Sequence, residues 1–177
     1  MTYRVMTVCT GNICRSPMAE IVLRQALDAA GLHDVVVDSS GVSDEERGNP
    51  VDRRARRVLA AHGYPVGDGH RAHQVTADEV ASRDLLLPMT AHHARALRRL
   101  AAAPDGTAGP EIRMFRSFDP DAPRVGDGHS EHLLDVDDPW YGGMEDFEAC
   151  LAEIEAAVPG VVEHVRHELE KRSSAPA

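Results

Sequence analysis

The stretch Cys9-Thr-Gly-Asn-Ile-Cys-Arg-Ser-Pro17 decides the fold of this chain. The short apolar segment Val5-Met-Thr-Val8 precedes it and a helical pattern follows from about Pro17, so the loop joins a buried strand to a helix. The backbone N–H groups of such a loop and the positive end of the helix together form a site for a phosphate dianion. The same positive end favours the thiolate form of a cysteine, and an arginine can bind two phosphoryl oxygens at once.

This loop predicts a phosphate site with a cysteine nucleophile. Cys9 would attack phosphorus, and Arg15 would stabilise the charge on the phosphoryl oxygens. The residues expected to bind phosphate are Thr10, Gly11, Asn12, Ile13, Cys14 and Arg15. An inert buried cysteine and a solvated arginine are the alternative interpretation, but their combination in one strand-to-helix turn favours the phosphate site.

The composition indicates a single globular domain. The chain has 177 residues, of which 42% are hydrophobic and 27% charged. A net charge of −10 disfavours nucleic acid and anionic membrane surfaces as partners. No apolar run is long enough to span a bilayer, no signal peptide is evident, and three cysteines do not form a disulfide framework. We therefore expect a cytoplasmic protein.

Short apolar segments alternate with helical patterns along the chain, which predicts an α/β fold: one four-stranded parallel sheet with helices on both faces. Strands are expected at Arg4–Val8, Val35–Ser39, Asp84–Leu87 and Ile112–Phe115. Helices are expected at Pro17–Ala30, Asp52–His62, after the capping box at Thr76, from Thr90 to about Ala103, and from Met144 to about Arg172 with a break at Pro159-Gly160. We expect a domain over residues 1–172 and a disordered tail over 173–177.

Two clusters of arginine accompany the predicted helices. They comprise Arg53, Arg54, Arg56 and Arg57, and then Arg95, Arg98 and Arg99. We interpret both as solvated helix faces.

A departing alkoxide needs a proton, which a carboxylic acid can supply. Asp135, Asp137 and Asp138 are candidates at the end of the long irregular segment Asp119–Asp138. The most distinctive stretch is Asp138-Pro-Trp-Tyr-Gly-Gly143, whose aromatic residues Trp140 and Tyr141 could wall a cleft. A solvated acidic turn is the alternative interpretation.

The two motifs Cys9–Pro17 and Asp138–Gly142 resemble those of the low-molecular-weight protein tyrosine phosphatases in sequence, order and separation, over about Tyr3 to Arg172. The resemblance implies Cys9 as nucleophile, Arg15 as phosphate clamp, and Asp138 as general acid and then base. It also implies supporting roles for Asn12, Ser16, Ser39 and His70, and a reversible disulfide between Cys9 and Cys14. It implies no cofactor and phosphotyrosyl proteins as substrates.

Three positions depart from this family's pattern. Glu45 stands where the family usually has an aromatic residue on the pocket wall, so we expect a wall of Glu45, Trp140 and Tyr141. Thr90 replaces an aspartate after the third strand, and His73 stands where arginine is frequent. These departures bear on substrate preference, because no catalytic group is lost.

Other functions remain open at this point. A phosphatase for a small phosphorylated metabolite or sugar would use the same chemistry, whereas an arsenate reductase needs cysteines after the third strand, and a phosphate-binding module needs no acid. The spacings His129-x-x-His132 and His164-x-x-His167 occur in metal sites, but no matching ligands accompany them, so no metal is expected. We expect a monomer, with weak self-association left open.

Overall fold

The computed structural model describes residues 2–102, 109–126 and 130–174. The strands are β1 (Tyr3–Cys9), β2 (Val35–Gly41), β3 (Leu85–Pro88) and β4 (Glu111–Ile112). The helices are α1 (Arg15–Ala29), α2 (Arg53–Ala61), α3 (Ala77–Ala81), α4 (Ala91–Ala101) and α5 (Met144–Ser174). Short 3₁₀ turns lie at Phe115–Phe118, Glu131–Leu134 and Pro139–Tyr141. Within the described ranges, none of the helices combines the length and apolar character that a membrane crossing requires.

The four strands form one parallel sheet in the order β2-β1-β3-β4. In register, Cys9 pairs with Gly41, and Val8 pairs with Pro88. The carboxyl ends of three strands therefore meet at one edge, which is where parallel α/β sheets bind ligands. The predicted α/β class is confirmed.

The side chains of β1 pack alternately into two hydrophobic clusters, one on each face of the sheet. Val5 and Cys9 belong to a large cluster that includes residues of α1, α2 and α5. Met6 and Val8 belong to a smaller cluster that includes Val80 of α3 and residues of β3 and α4. This alternation is the period-two pattern of a strand buried on both faces, with helices covering each face.

The fourth strand and the segment after it differ from the prediction. β4 ends at Ile112, and Phe115, which the prediction placed in that strand, begins a 3₁₀ turn. Phe115 is fully buried in the large core, so its burial in that turn produced the strand-like apolar signal. The predicted structureless segment from Asp119 contains the turn Glu131–Leu134, and residues 127–129 lie outside the described part.

The predicted break at Pro159-Gly160 is wrong, because α5 continues through both residues. Proline removes one helix hydrogen bond, but the residues on either side are buried in the core and hold the helix together. Gly160 has a packing role, since a Cβ there would lie 2.2 Å from the carbonyl oxygen of Phe118. The helix also includes residues 173–174, which were assigned to the tail, and residues 175–177 lie outside the described part.

Candidate active site

The loop after β1 curls around the buried thiol of Cys9. The backbone N–H of Asn12 donates to Cys9 Sγ at 3.3 Å, and Ser16 Oγ lies 3.1 Å from the same sulfur. Ser16 lies in the first turn of α1, so the positive end of that helix adjoins the sulfur. These contacts favour a negative charge on Cys9.

Asn12 holds the loop in shape from inside. It is the only described non-glycine residue in the left-handed region, with φ of 59°. Its Nδ2 donates to Ser16 Oγ and to Ser39 Oγ, each at 3.0 Å. His70 Nε2 donates to the Asn12 carbonyl at 2.7 Å, and the N–H of His73 donates to Asn12 Oδ1 at 3.2 Å. The four partners come from α1, β2 and the segment between α2 and α3, so they fix the loop from several directions.

Gly41, at the end of β2, lets the loop approach the sheet. A Cβ at this position would lie 2.5 Å from the carbonyl oxygen of Thr10 and 3.2 Å from the N–H nitrogen of Asn12. Any larger residue would therefore push the loop away from its present position.

Arg15 and Asp138 come together although 123 residues separate them. Arg15 Nη1 donates to the carbonyl of Val136 at 3.0 Å, and Nη2 donates to Asp138 Oδ2 at 3.0 Å. The Arg15 side chain is only 6% exposed, whereas that of Asp138 is 39% exposed. The other carboxylate oxygen, Asp138 Oδ1, accepts a hydrogen bond from the Trp140 N–H at 3.1 Å. A buried cation thus pairs with an acid at the pocket mouth.

These groups line one pocket. Its walls are formed by Cys9, Thr10, Gly11, Ile13, Cys14, Arg15, Glu45, Glu46, Asp138, Trp140 and Tyr141. The pocket therefore brings together a thiol, a guanidinium and a carboxyl group. These are the three groups that phosphoryl transfer through a cysteine requires: a nucleophile, a cation for the phosphoryl oxygens and an acid for the leaving group.

Comparison with known proteins agrees with this geometry. A family model described as low molecular weight phosphotyrosine protein phosphatase matches residues 4–172. The chain is 46% identical over 175 residues to a low molecular weight protein-tyrosine-phosphatase of Streptomyces coelicolor, covering 98% of this chain and all of that one. It is 47% identical over 166 residues to low molecular weight protein-tyrosine phosphatase A of Mycobacterium tuberculosis, covering 93% of each. The chain belongs to the low molecular weight phosphotyrosine protein phosphatase family.

A solved structure shares the fold of this chain. The crystal structure of YfkJ from Bacillus subtilis aligns with a TM-score of 0.80 at 27% identity, covering 95% of this chain and 97% of that one. The resemblance seen in the sequence is therefore confirmed, and the comparisons do not favour the alternative functions. No cysteine lies in β3 or at the start of α4, and Cys150 lies in α5, as expected for a phosphatase of this family rather than an arsenate reductase.

The pocket rim of this phosphatase family member is acidic and aromatic. Glu45 lines the pocket with Trp140 and Tyr141, which are 41% and 90% exposed. Glu46 also lines the pocket, and its side chain packs over the backbone of Gly11. The sequence analysis did not predict Glu46 as a pocket residue. It named Glu45 only because the family resemblance marks that position, and nothing comparable marks position 46.

The other two departures have local roles. His73 bonds through its backbone to Asn12, and its Nε2 lies 3.0 Å from Glu79 Oε1. Thr90 caps α4, because its hydroxyl accepts from the N–H of His93 at 3.3 Å. Neither side chain lines the pocket.

His93 was missed from the sequence. Its Nε2 shares a hydrogen bond with Thr10 Oγ1 at 2.8 Å, whereas its Nδ1 is buried with no partner among the described residues. Burial lowers the pKa of His93 to about 3, and the charges of Arg15 and His92 add to this effect. The ring is therefore neutral at physiological pH and packs directly behind the loop.

The remaining cysteines near the site stay protonated. Burial raises the pKa of Cys14, and the nearby Asp52 and Cys9 add to the effect. Burial also raises the pKa of Cys150 to about 12. The sulfur of Cys9 has a different setting, because the Asn12 N–H donates to it and Ser16 Oγ lies 3.1 Å from it.

Neither Asp135 nor Asp137 lines the pocket. Asp135 Oδ1 instead accepts from the N–H of Ala91 at 2.7 Å, which ties the segment before Asp138 to α4. In the part of the chain that the structure describes, no group of three or more potential ligands could hold a metal ion. His129 lies outside that part, and His164 Nε2 lies 2.9 Å from Glu111 Oε2.

Proposed function

We propose that this chain is a protein-tyrosine phosphatase that works through a cysteinyl-phosphate intermediate. The observation that carries the proposal is the convergence of Cys9, Arg15 and Asp138 on one pocket. A binding module would have no use for the carboxyl group. The exposed rings of Trp140 and Tyr141 at the mouth suit an aromatic leaving group.

In the first step, the Cys9 thiolate attacks phosphorus and the bond from phosphorus to the tyrosyl oxygen breaks. Asp138, protonated, gives its proton to that oxygen, so tyrosine leaves as a neutral phenol. Arg15 turns from Asp138 to the phosphoryl oxygens, where its two N–H groups and those of the loop stabilise the charge.

In the second step, water attacks the phosphorus of the cysteinyl phosphate. Asp138, now ionised, takes a proton from that water, the S–P bond breaks, and the electron pair returns to Cys9. Orthophosphate leaves with the thiolate regenerated. No step needs a metal or a cofactor.

The proposal extends to the setting of the protein. We propose a cytoplasmic monomer that acts on phosphotyrosyl proteins, with no role for nucleic acid. Three cysteines, two of them in one loop, do not make the disulfide framework typical of secreted domains, and this supports a reducing compartment.

Hydrolysis of aryl phosphates and phosphotyrosyl peptides tests the proposal. Cys9→Ser should abolish turnover and still bind orthophosphate, because the loop N–H groups and Arg15 remain. Phosphoseryl peptides should be poor substrates, since the shorter side chain cannot place its phosphate beside Cys9 while contacting the aromatic rim. Turnover by Cys9→Ser within tenfold of wild type would contradict the nucleophile assignment.

A further inference from the structure

Arg54, in the first turn of α2, reaches across to the turn that carries Asp138. Its Nη1 donates to the carbonyl of Trp140 at 3.0 Å and to the carbonyl of Gly142 at 3.1 Å. Its guanidinium carbon lies 5.2 Å from the ring centre of Trp140 and 4.6 Å from that of Phe147. One side chain therefore binds the middle and the C-terminal end of this turn, and it also contacts the ring of the turn's tryptophan.

Asp52 holds the guanidinium in place. Arg54 Nε donates to Asp52 Oδ1 at 3.1 Å, and Nη2 donates to Oδ2 at 3.2 Å. Burial acts to raise the pKa of Asp52, but hydrogen bonds from Arg54 and Ala55 outweigh it and hold the pKa below its usual range. Both partners are charged at neutral pH, so the orientation of Arg54 is fixed by a bidentate ion pair.

The same aspartate is bonded to the phosphate loop. The backbone N–H of Asp52 donates to the carbonyl of Ile13 at 2.8 Å. A continuous chain of hydrogen bonds thus runs from the loop at Ile13, through Asp52 and Arg54, to the carbonyls of Trp140 and Gly142.

We infer that Asp52 and Arg54 form a brace that sets the distance between the phosphate loop and the turn carrying Asp138. Arg54 is then a positioning residue for proton transfer, and this role rests on the proposed phosphatase function. Asp138 is coupled to the braced turn because its Oδ1 accepts from the Trp140 N–H. Proton transfer needs a heavy-atom separation of about 2.6–3.2 Å, so a turn that drifts by 1 Å loses most of its benefit.

Substrates with different leaving groups separate this role from a merely structural one. A strongly activated phenol such as 4-nitrophenol needs little protonation as it leaves, whereas phenol itself needs much. Arg54→Gln should lower kcat/KM for phenyl phosphate by about 10- to 100-fold, and for 4-nitrophenyl phosphate by less than about threefold. Arg54→Lys should show a smaller split than Arg54→Gln, because the ammonium keeps the positive charge beside Asp52. Some split should remain, because an ammonium cannot bind both carbonyls and Asp52 at once.

Arg57→Gln is the matched control. It removes the same charge from the same helix, and Arg57 is exposed with no hydrogen bond or ion pair to the described residues. It should leave both kcat/KM values unchanged within twofold.

Fluorescence tests the brace without relying on catalysis. Trp140 is the only tryptophan of the chain, so its emission reports the braced turn. Arg54→Gln should increase acrylamide quenching of Trp140 in the folded protein, and Arg57→Gln should not. Wild-type enzyme inactive on every phosphate ester would overturn the proposed function, while the quenching comparison would still test the brace.

The brace is overturned if Arg54→Gln lowers kcat/KM equally for both esters, or if quenching is the same as in wild type. Urea unfolding of each variant identifies a loss of activity due to unfolding. If Arg54→Gln does not fold, Arg54→Lys takes its place in both measurements. The brace is then overturned if Arg54→Lys changes kcat/KM equally for the two esters and its Trp140 quenching equals that of wild type.

Discussion

Replacing Asp138 by asparagine should slow catalysis and at the same time strengthen phosphate binding. Asparagine has no proton to give, so kcat/KM for phenyl phosphate should fall by about 10²–10⁴-fold. 4-Nitrophenyl phosphate should be affected far less, because its leaving group is stable without a proton. The asparagine Oδ1 can still accept from the Trp140 N–H, so the turn should keep its shape.

The gain in binding follows from the ion pair between Arg15 and Asp138. Phosphate must take Arg15 away from this carboxylate, which is 39% exposed. A partly exposed pair contributes about 0.2–1 kcal/mol, which corresponds to a change of about 1.4- to 5-fold in a binding constant. The inhibition constant of orthophosphate should therefore fall by about that factor in Asp138→Asn.

The assay compares kcat/KM for the two esters and the inhibition constant of orthophosphate in three proteins: wild type, Asp138→Asn and Asp137→Asn. Asp137 precedes Asp138 in the same segment but does not line the pocket, so Asp137→Asn should match wild type. Equal losses on both esters, or weaker phosphate binding in Asp138→Asn, would refute the assignment of Asp138 as the acid that pairs with Arg15.

Three further outcomes are expected. Glu45→Gln should raise kcat/KM for acidic phosphotyrosyl peptides about 1.4- to 5-fold more than for a neutral aryl phosphate, with a difference that shrinks in salt; a constant ratio at all ionic strengths would mean that Glu45 does not face the peptide. The pKa of His93 is lowered to about 3 in the folded protein, whereas in the unfolded chain it is about 6.5. As the pH falls below about 6.5, the unfolded chain therefore binds a proton that the folded protein does not, and the free energy of unfolding declines. His93→Gln should remove up to about 1.4 kcal/mol per pH unit of that decline, measured by urea unfolding between pH 4 and 7, and an unchanged slope would contradict it. Mild peroxide should inactivate reversibly through a disulfide between Cys9 and Cys14, seen as a loss of two hydrogens by mass spectrometry, and Cys14→Ser should make thiol rescue harder; an intact loop mass would count against this.

The sequence predicted the sheet because its signals were local. The strand before Cys9 and the helix after it are encoded within a few residues of each other, and the same holds for the capping box at Thr76, which the structure shows in full. The predicted helix break at Pro159 was wrong, because the buried residues on both sides of the proline outweigh its local tendency to end a helix. Tertiary packing of this kind has no signature in a short window of sequence.

The candidate site was predictable where motifs are contiguous. Cys9 and Arg15 share one loop, and Asp138 opens a second distinctive stretch, so both motifs were recognised in the sequence. The roles of these three residues are proposals. His93 was missed because it meets Thr10 across 83 residues of sequence. Arg54 was interpreted with its neighbours as a solvated helix face, because nothing in its own segment indicates the carbonyls that it binds across 86 and 88 residues.

Asn12 bonds to residues as far along the chain as His73, so we expect its loop to take its shape late in folding. Its partners Ser39, His70 and His73 lie 27, 58 and 61 residues away. Contacts of such long sequence separation require closure of large loops before they form. During refolding, regained turnover should therefore report the docking of the segment with His70 and His73 onto the sheet. Circular dichroism, which detects helices such as α1 and α5, should recover no later than turnover does.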